Sequence, residues 1–131
     1  MDTILLVEDD TILREVLQDS LSDLGHSCLA VGTLERAQQV LQEHHWDLVI
    51  TDVNLSPGAQ KEGLEIARWL KDHAAHTRVV LMSGSERSEM ERSAAALGAL
   101  FLPKPFEVDA MIRVCFPPPA APDPPDPPEE G

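Results

Sequence analysis

Short apolar runs alternate with longer amphipathic stretches along the first 116 residues of the chain. Five runs rich in leucine and β-branched residues have the length and composition of buried strands: residues 4–7, 28–31, 48–50, 79–82 and 100–102. Apolar residues at three- and four-residue spacing follow each run and predict five helices. This alternation predicts an α/β fold in which helices cover both faces of a parallel sheet.

Local signals mark several of the predicted helix ends. We expect the first helix to stop at Gly25 and the fourth at Gly98, because glycine commonly follows a helix C-terminus. Either Asp9 or Asp10 is expected to cap the first helix. The segment Ser-Glu-Met-Glu at residues 88–91 has the spacing of a capping box for the fourth helix.

The composition changes abruptly at Pro117. Residues 117–131 hold eight of the 11 prolines and four acidic residues, without a large apolar side chain. Such a segment cannot form a helix or a core. We therefore expect one folded domain over residues 1–116 and a disordered, Pro-rich acidic tail over residues 117–131.

The net charge and the length of the apolar runs argue against nucleic acid and membranes as partners. Ten basic and 23 acidic residues give a formal net charge of -13, which disfavours direct binding to nucleic acid. No apolar run approaches the roughly 20 residues of a membrane span, and the N-terminus lacks the basic region of a secretory signal. We predict a cytoplasmic protein without a membrane partner, in which Cys28 and Cys115 are reduced core thiols.

Polar side chains follow four of the five predicted strands. The first strand is followed by the acidic residues 8–10, the third by Asp52, the fourth by Ser83 and the fifth by Lys104. Ligands of parallel α/β sheets bind at the carboxyl ends of the strands, so these side chains are expected to converge there. The second strand contributes none and is expected at the edge of the sheet.

Crowded carboxylates repel one another, and a divalent metal such as Mg²⁺ would neutralise them. A phosphoryl group beside that metal would also be balanced by the Lys104 ammonium and the Ser83 hydroxyl. The residues therefore indicate a carboxylate that accepts a phosphoryl group covalently.

Four segments in this order resemble the receiver domain of bacterial two-component response regulators: Leu6 to Asp10, Asp52 to Asn54, Met82 to Gly84 and Phe101 to Phe106. The resemblance covers residues 2–116. It implies a flavodoxin-like (βα)5 fold, a doubly wound parallel five-stranded sheet with strand order 2-1-3-4-5. It also implies Mg²⁺ or Mn²⁺ as cofactor.

The resemblance makes Asp52 the phosphoacceptor. It implies that Asp9, Asp52 and the backbone carbonyl of Asn54 bind the metal ion directly, and that Glu8 binds it through water. Ser83 matches the hydroxyl that bonds the phosphoryl oxygen.

At the fifth strand, Lys104 matches the lysine that pairs with the phosphoryl group, and Phe101 matches an aromatic switch residue. The resemblance also implies a cis bond between Lys104 and Pro105. A core role for Phe101 has equal weight, because aromatic residues on strands usually belong to the core and Phe lacks a hydroxyl.

Each motif residue also has a local interpretation. Asp52 and Ser83 are residue types typical of turns, and Lys104 alone would be a surface lysine. Their convergence on one edge of the sheet favours the functional interpretation.

The expected function is that of a signal receiver and not of an enzyme. A sensor histidine kinase or phosphotransfer protein would donate the phosphoryl group, and the domain would signal to a downstream protein through its own surface, because no effector domain follows the fifth helix.

One alternative is an intermediate in a multi-step phosphorelay. Two further alternatives are less favoured. An aspartyl-nucleophile phosphatase requires an acidic residue at the position of Asn54, and a degenerate receiver would only bind protein. The loop at residues 56–62 is longer than usual and favours an unusual partner choice.

Overall fold

A computed structural model describes residues 2–55 and 61–117. Strands and helices alternate, with each of the first four helices returning the chain to the start of the next strand. The elements in chain order are β1 (Thr3–Val7), α1 (Thr11–Asp23), β2 (Ser27–Val31), α2 (Leu34–Glu43), β3 (Leu48–Asp52), α3 (Glu62–His73), β4 (Arg78–Ser83), α4 (Arg87–Ala96), β5 (Leu100–Pro103) and α5 (Val108–Cys115). All ten elements correspond to apolar patterns in the sequence.

The five strands form one parallel sheet in the order β2-β1-β3-β4-β5. The strand order 2-1-3-4-5 is confirmed, and so is the edge position of the second strand. The order reverses between β1 and β3, so the carboxyl ends of these two strands border the crevice in which such folds bind ligands.

The core has two layers because side chains alternate across the pleated sheet. On β1, Leu5 and Val7 pack into the layer under α2, α3 and α4. Ile4 and Leu6 pack into the layer under α1 and α5. The central strands are therefore buried on both faces, which explains why they are continuous apolar runs in the sequence.

Most of the predicted helix ends are correct. Asp10 caps α1, since its side chain accepts a hydrogen bond from the Leu13 N–H. Gly25 and Gly98 follow the ends of α1 and α4 and have φ angles of 94° and 70°, which favour glycine.

The capping box predicted for residues 88–91 is wrong. Helix α4 begins at Arg87, and Glu86 occupies the N-cap position without a side-chain capping bond. Ser88 therefore lies inside the first turn, where its hydroxyl is too far along the helix to act as the cap.

The two cysteines are unpaired thiols, as expected. Burial raises the pKa of the Cys28 thiol to about 11 and that of the Cys115 thiol to about 12. Both are therefore neutral at pH 7.

Some expectations fall outside the described residues. Of the predicted tail, only Pro117 is described, and of the long loop only Lys61 and Glu62, the latter already in α3. Within the described ranges, no helix combines the length and apolar character needed to cross a membrane.

Candidate functional site

Four strand ends meet at one edge of the sheet. Glu8 and Asp9 follow β1, Asp52 is the last residue of β3, and Ser83 is the last residue of β4. Lys104 follows β5, and its backbone N–H donates to the Ser83 carbonyl at 2.8 Å. Because all strands are parallel, these residues are brought to the same rim, as the sequence predicts.

Lys104 links two of the carboxylates. Its ammonium donates to Asp52 Oδ2 at 2.9 Å and to Glu8 Oε1. Burial by itself lowers the pKa of this amine, but the hydrogen bonds and charges of Glu8 and Asp52 outweigh burial and leave the pKa raised. Lys104 is therefore a cation at neutral pH, and the bond to Pro105 that follows it is cis, as the resemblance implies.

Glu8 is fully buried at the base of the site. Its second carboxylate oxygen, Oε2, accepts a hydrogen bond from the Asp10 N–H at 3.3 Å. The Arg14 guanidinium donates to the Glu8 backbone carbonyl at 2.8 Å. The bonds from Lys104 and Asp10 satisfy a carboxylate whose burial would otherwise carry a large free-energy cost, while the Arg14 bond fixes the backbone of the same residue.

Asp52 is only 8% exposed. Its Oδ1 accepts a hydrogen bond from the Asn54 N–H at 3.2 Å, and its backbone carbonyl accepts one from the Thr51 hydroxyl. The Asn54 side chain in turn accepts from the Lys61 N–H at 2.9 Å. The carboxylate is thus oriented by its own loop as well as by Lys104.

One carboxylate oxygen from each of Glu8, Asp9 and Asp52 lies within 4.8 Å of the other two. Burial, followed by the hydrogen bond and charge of Glu8, raises the pKa of Asp9, and the more weakly acting charge of Lys104 opposes that rise. Three close carboxylates with one ammonium leave excess negative charge. Their hard oxygen donors fit Mg²⁺ or Mn²⁺.

Ser83 lies at the rim, but its hydroxyl faces its own turn. The side chain is buried, and Oγ donates to the Ser85 carbonyl at 2.9 Å and accepts from the Ser85 N–H at 3.3 Å. The predicted bond between Ser83 and a phosphoryl oxygen therefore stays a prediction, and it requires this hydroxyl to turn.

Phe101 is partly buried on β5 and packs against the core layer under α2, α3 and α4. The core role is therefore observed, and the switch role stays a prediction. The metal ligation by the Asn54 carbonyl also stays a prediction.

Sequence reasoning missed three charged residues beside the site. Lys61, at the start of α3, pairs with Glu89 of α4 at 2.7 Å and with Glu86 at 3.8 Å. Nothing in the local spacing of these residues signals the contact, because it joins the start of α3 to the start of α4, which are distant in the chain.

Most of the chain is similar to one known protein family. Residues 4–115 match the family model described as the response regulator receiver domain. The chain is 38% identical over 110 residues to the response regulator protein FleR of Pseudomonas aeruginosa, a match that covers 83% of this chain and 23% of FleR. The chain thus spans about a quarter of the length of that curated relative.

Two solved structures are similar in fold. The non-phosphorylated HemR receiver domain of Leptospira biflexa has a TM-score of 0.77 at 26% identity, with 86% of this chain and 89% of that chain covered. The response regulator TrrA of Thermotoga maritima, solved in complex with Mg²⁺-BeF, has a TM-score of 0.71 at 26% identity, with 85% and 93% covered.

Proposed function

The chain belongs to the response regulator receiver family, and from that premise we propose that it accepts a phosphoryl group on Asp52. The donor in this proposal is a phosphohistidine of a sensor histidine kinase or phosphotransfer protein. Mg²⁺ or Mn²⁺ is the proposed cofactor, and a downstream protein is the proposed target.

One observation carries the proposal. The Lys104 ammonium lies between the carboxylates of Glu8 and Asp52, inside a cluster that also contains Asp9. An ammonium held beside a nucleophilic carboxylate and other anions is suited to a reaction that brings further negative charge to that carboxylate.

The proposed step is a phosphoryl transfer. A carboxylate oxygen of Asp52 attacks the phosphorus, a new O–P bond forms, and the P–N bond to the donor imidazole breaks. The electron pair of that bond stays on the imidazole nitrogen. Lys104, which now contacts Asp52 Oδ2, remains close enough to balance the charge of the transferred oxygens.

The residues that would hold the metal are Asp9 and Asp52 directly, the Asn54 carbonyl, and Glu8 through water. A bound dication supplies positive charge to the phosphoryl oxygens during transfer. Two facts support this part of the proposal: one oxygen from each of the three carboxylates lies within 4.8 Å of the others, and the related TrrA was solved with Mg²⁺-BeF.

As a receiver, the domain is proposed to act as a signal transducer and not as an enzyme on other substrates. Phosphorylation would shift an existing conformational equilibrium at the surface formed by α4, β5 and α5. We propose that residues 1–116 perform this role and that residues 117–131 take no part in the phosphoryl transfer.

A relay role, in which Asp52 passes its phosphoryl group to another protein, begins with the same phosphoryl transfer to Asp52. The cytoplasmic location and the absence of direct nucleic-acid binding stay predictions.

The phosphatase alternative gains no support. It needs a second acid two residues after the nucleophile, where Asn54 instead accepts a hydrogen bond from the Lys61 N–H. An amide in this position cannot serve as a general acid.

The test is incubation with acetyl phosphate and Mg²⁺, followed by intact mass measurement. Wild type should gain the mass of one phosphoryl group, and Asp52→Asn should gain none. Asp10→Asn is the matched control, because Asp10 caps α1 and asparagine caps equally well. Equal labelling of Asp52→Asn would refute the assignment of the acceptor, and an unlabelled wild type would refute the proposed function.

A further inference from the structure

The Lys61 side chain ties the start of α3 to the start of α4. Its ammonium donates to Glu89 Oε1 at 2.7 Å and lies 3.8 Å from Glu86 Oε2. The hydrogen bond to Glu89 raises the pKa of Lys61 and lowers that of Glu89, so both partners are charged at neutral pH. We call this three-residue contact the Lys61 bridge.

Both ends of the Lys61 bridge connect directly to the proposed phosphoryl site. At one end, the Lys61 N–H donates to the Asn54 side chain, and the Asn54 N–H donates to Asp52 Oδ1. At the other end, Glu86 follows Ser85, whose carbonyl and N–H both bond the Ser83 hydroxyl. The bridge therefore joins the loop of Asp52 to the loop of Ser83.

The backbone at the two ends is unusual. Lys61 has a φ of 63° and Glu86 a φ of 50°, the left-handed conformation that residues other than glycine rarely adopt. Neither side chain caps the helix that it precedes. Such conformations persist when surrounding contacts hold them, and the bridge is a contact made by both residues.

We propose that Lys61 is a positioning residue whose bridge to Glu86 and Glu89 holds the turn from Ser83 to Ser85 in its resting arrangement. The inference rests on the proposed function. For the Ser83 hydroxyl to bond a phosphoryl group on Asp52, it must give up its bond to the Ser85 carbonyl. The short bond to Glu89 anchors the Lys61 ammonium, and the anchored ammonium holds Glu86. Movement of Ser85, which is adjacent to Glu86, therefore works against the bridge, and the bridge slows phosphorylation.

A different role for Lys61 would be to attract the anionic phosphoryl donor by its charge. The two roles predict different responses to two substitutions. If Lys61 restrains the turn, Lys61→Met and Glu89→Gln both free the turn and both speed phosphorylation. If Lys61 attracts the donor, Lys61→Met slows phosphorylation and Glu89→Gln, which frees the ammonium, speeds it.

The first measurement uses the unphosphorylated protein and follows solvent exchange of the Ser85 amide by NMR, because this amide donates to the Ser83 hydroxyl. We expect exchange to rise about two- to five-fold in Lys61→Met and in Glu89→Gln, the range that exposed ion pairs give. The double variant should exchange no faster than the single ones, because both changes break one contact. Lys61→Arg, which keeps the cation, should exchange like wild type.

The second measurement is the initial rate of phosphoryl uptake from acetyl phosphate, at several donor concentrations and at low and high salt. The maximal rate should rise about two- to five-fold in Lys61→Met and Glu89→Gln, with half-saturation unchanged, and high salt should reduce the difference from wild type. Glu91→Gln is the matched control, because Glu91 pairs with Arg87 within α4 at 2.9 Å. It should behave like wild type.

Unchanged Ser85 exchange in both variants would overturn the inference, as would opposite effects of Lys61→Met and Glu89→Gln on the rate. A wild type that takes up no phosphoryl group would refute the proposed function, while the exchange measurement would still decide whether the bridge restrains the turn.

Discussion

Asp9 is the exposed member of the acidic cluster, and in the metal-free protein its charge opposes folding. Although the residue is exposed, partial desolvation of its carboxylate by neighbouring atoms, followed by Glu8, raises its pKa above the value of 3.8 for a free side chain. A carboxyl group whose pKa is higher in the folded state destabilises that state when ionised, and the penalty disappears as pH falls through the folded pKa. Asp9→Asn should therefore stabilise the protein at pH 7 in EDTA, by less than about 1 kcal/mol because solvent screens the site.

Urea unfolding between pH 7 and pH 4 checks this prediction. The gain from Asp9→Asn should shrink toward pH 4, and Asp10→Asn should show no comparable gain, because Asp10 is a helix cap. A gain that is independent of pH would contradict the electrostatic explanation.

Site residues that follow a predicted strand could be placed at the rim of the sheet from the sequence alone. Glu8, Asp52 and Lys104 were identified in this way, and the structure brings their charged groups into contact. The orientation of the Ser83 hydroxyl was not predictable, because it depends on a bond within the Ser83 to Ser85 turn. Position at a strand end fixes which residues reach the rim but not which way a short side chain points.

The contact between β3 and the first turn of α3 depends on Gly63. A Cβ atom at this position would lie 2.1 Å from the Asp52 carbonyl oxygen and 2.9 Å from the Val53 Cα, and backbone atoms in a central strand cannot move aside. Gly63→Ala should therefore push α3 away from β3 and lower the free energy of unfolding by about 1–3 kcal/mol. Urea denaturation measures the loss.

Gly84→Ala is the matched control for Gly63→Ala. A Cβ at Gly84 would meet only the Lys104 Cβ at 3.6 Å, an ordinary contact, so the change in stability should stay within about 0.5 kcal/mol. Equal losses in the two variants would show that the close approach to β3 is unimportant.

At the scale of elements, periodicity was sufficient to predict the strands and helices, because burial on one or both faces of each element leaves a regular apolar pattern. The start of α4 was predicted wrongly from local spacing. Its N-cap position is occupied by Glu86, a residue in contact with Lys61 of a distant loop. A local pattern contains no information about such a partner.

Across the whole molecule, several contacts join distant parts of the chain without any sequence signal. Arg78, at the start of β4, donates to the Asp2 carboxylate and to the Cys115 carbonyl, and its guanidinium also lies over the Phe116 ring. These residues meet because the sheet order separates β4 from β1 by one strand only, and α5 packs over the same face. The topology was predictable, whereas the side chains that secure it depend on the folded geometry.

Binding of a dication should raise the stability of the whole domain, because a ligand that binds only the folded state shifts the unfolding equilibrium. At a Mg²⁺ concentration 100 times the dissociation constant, the expected gain is about 2.7 kcal/mol. General screening also stabilises a chain with a net charge of -13, so potassium chloride at equal ionic strength is the reference. Urea unfolding should show an additional gain with Mg²⁺ in wild type and a much smaller one in Asp9→Asn. Equal stabilisation by the two salts would contradict a metal site at Glu8, Asp9 and Asp52.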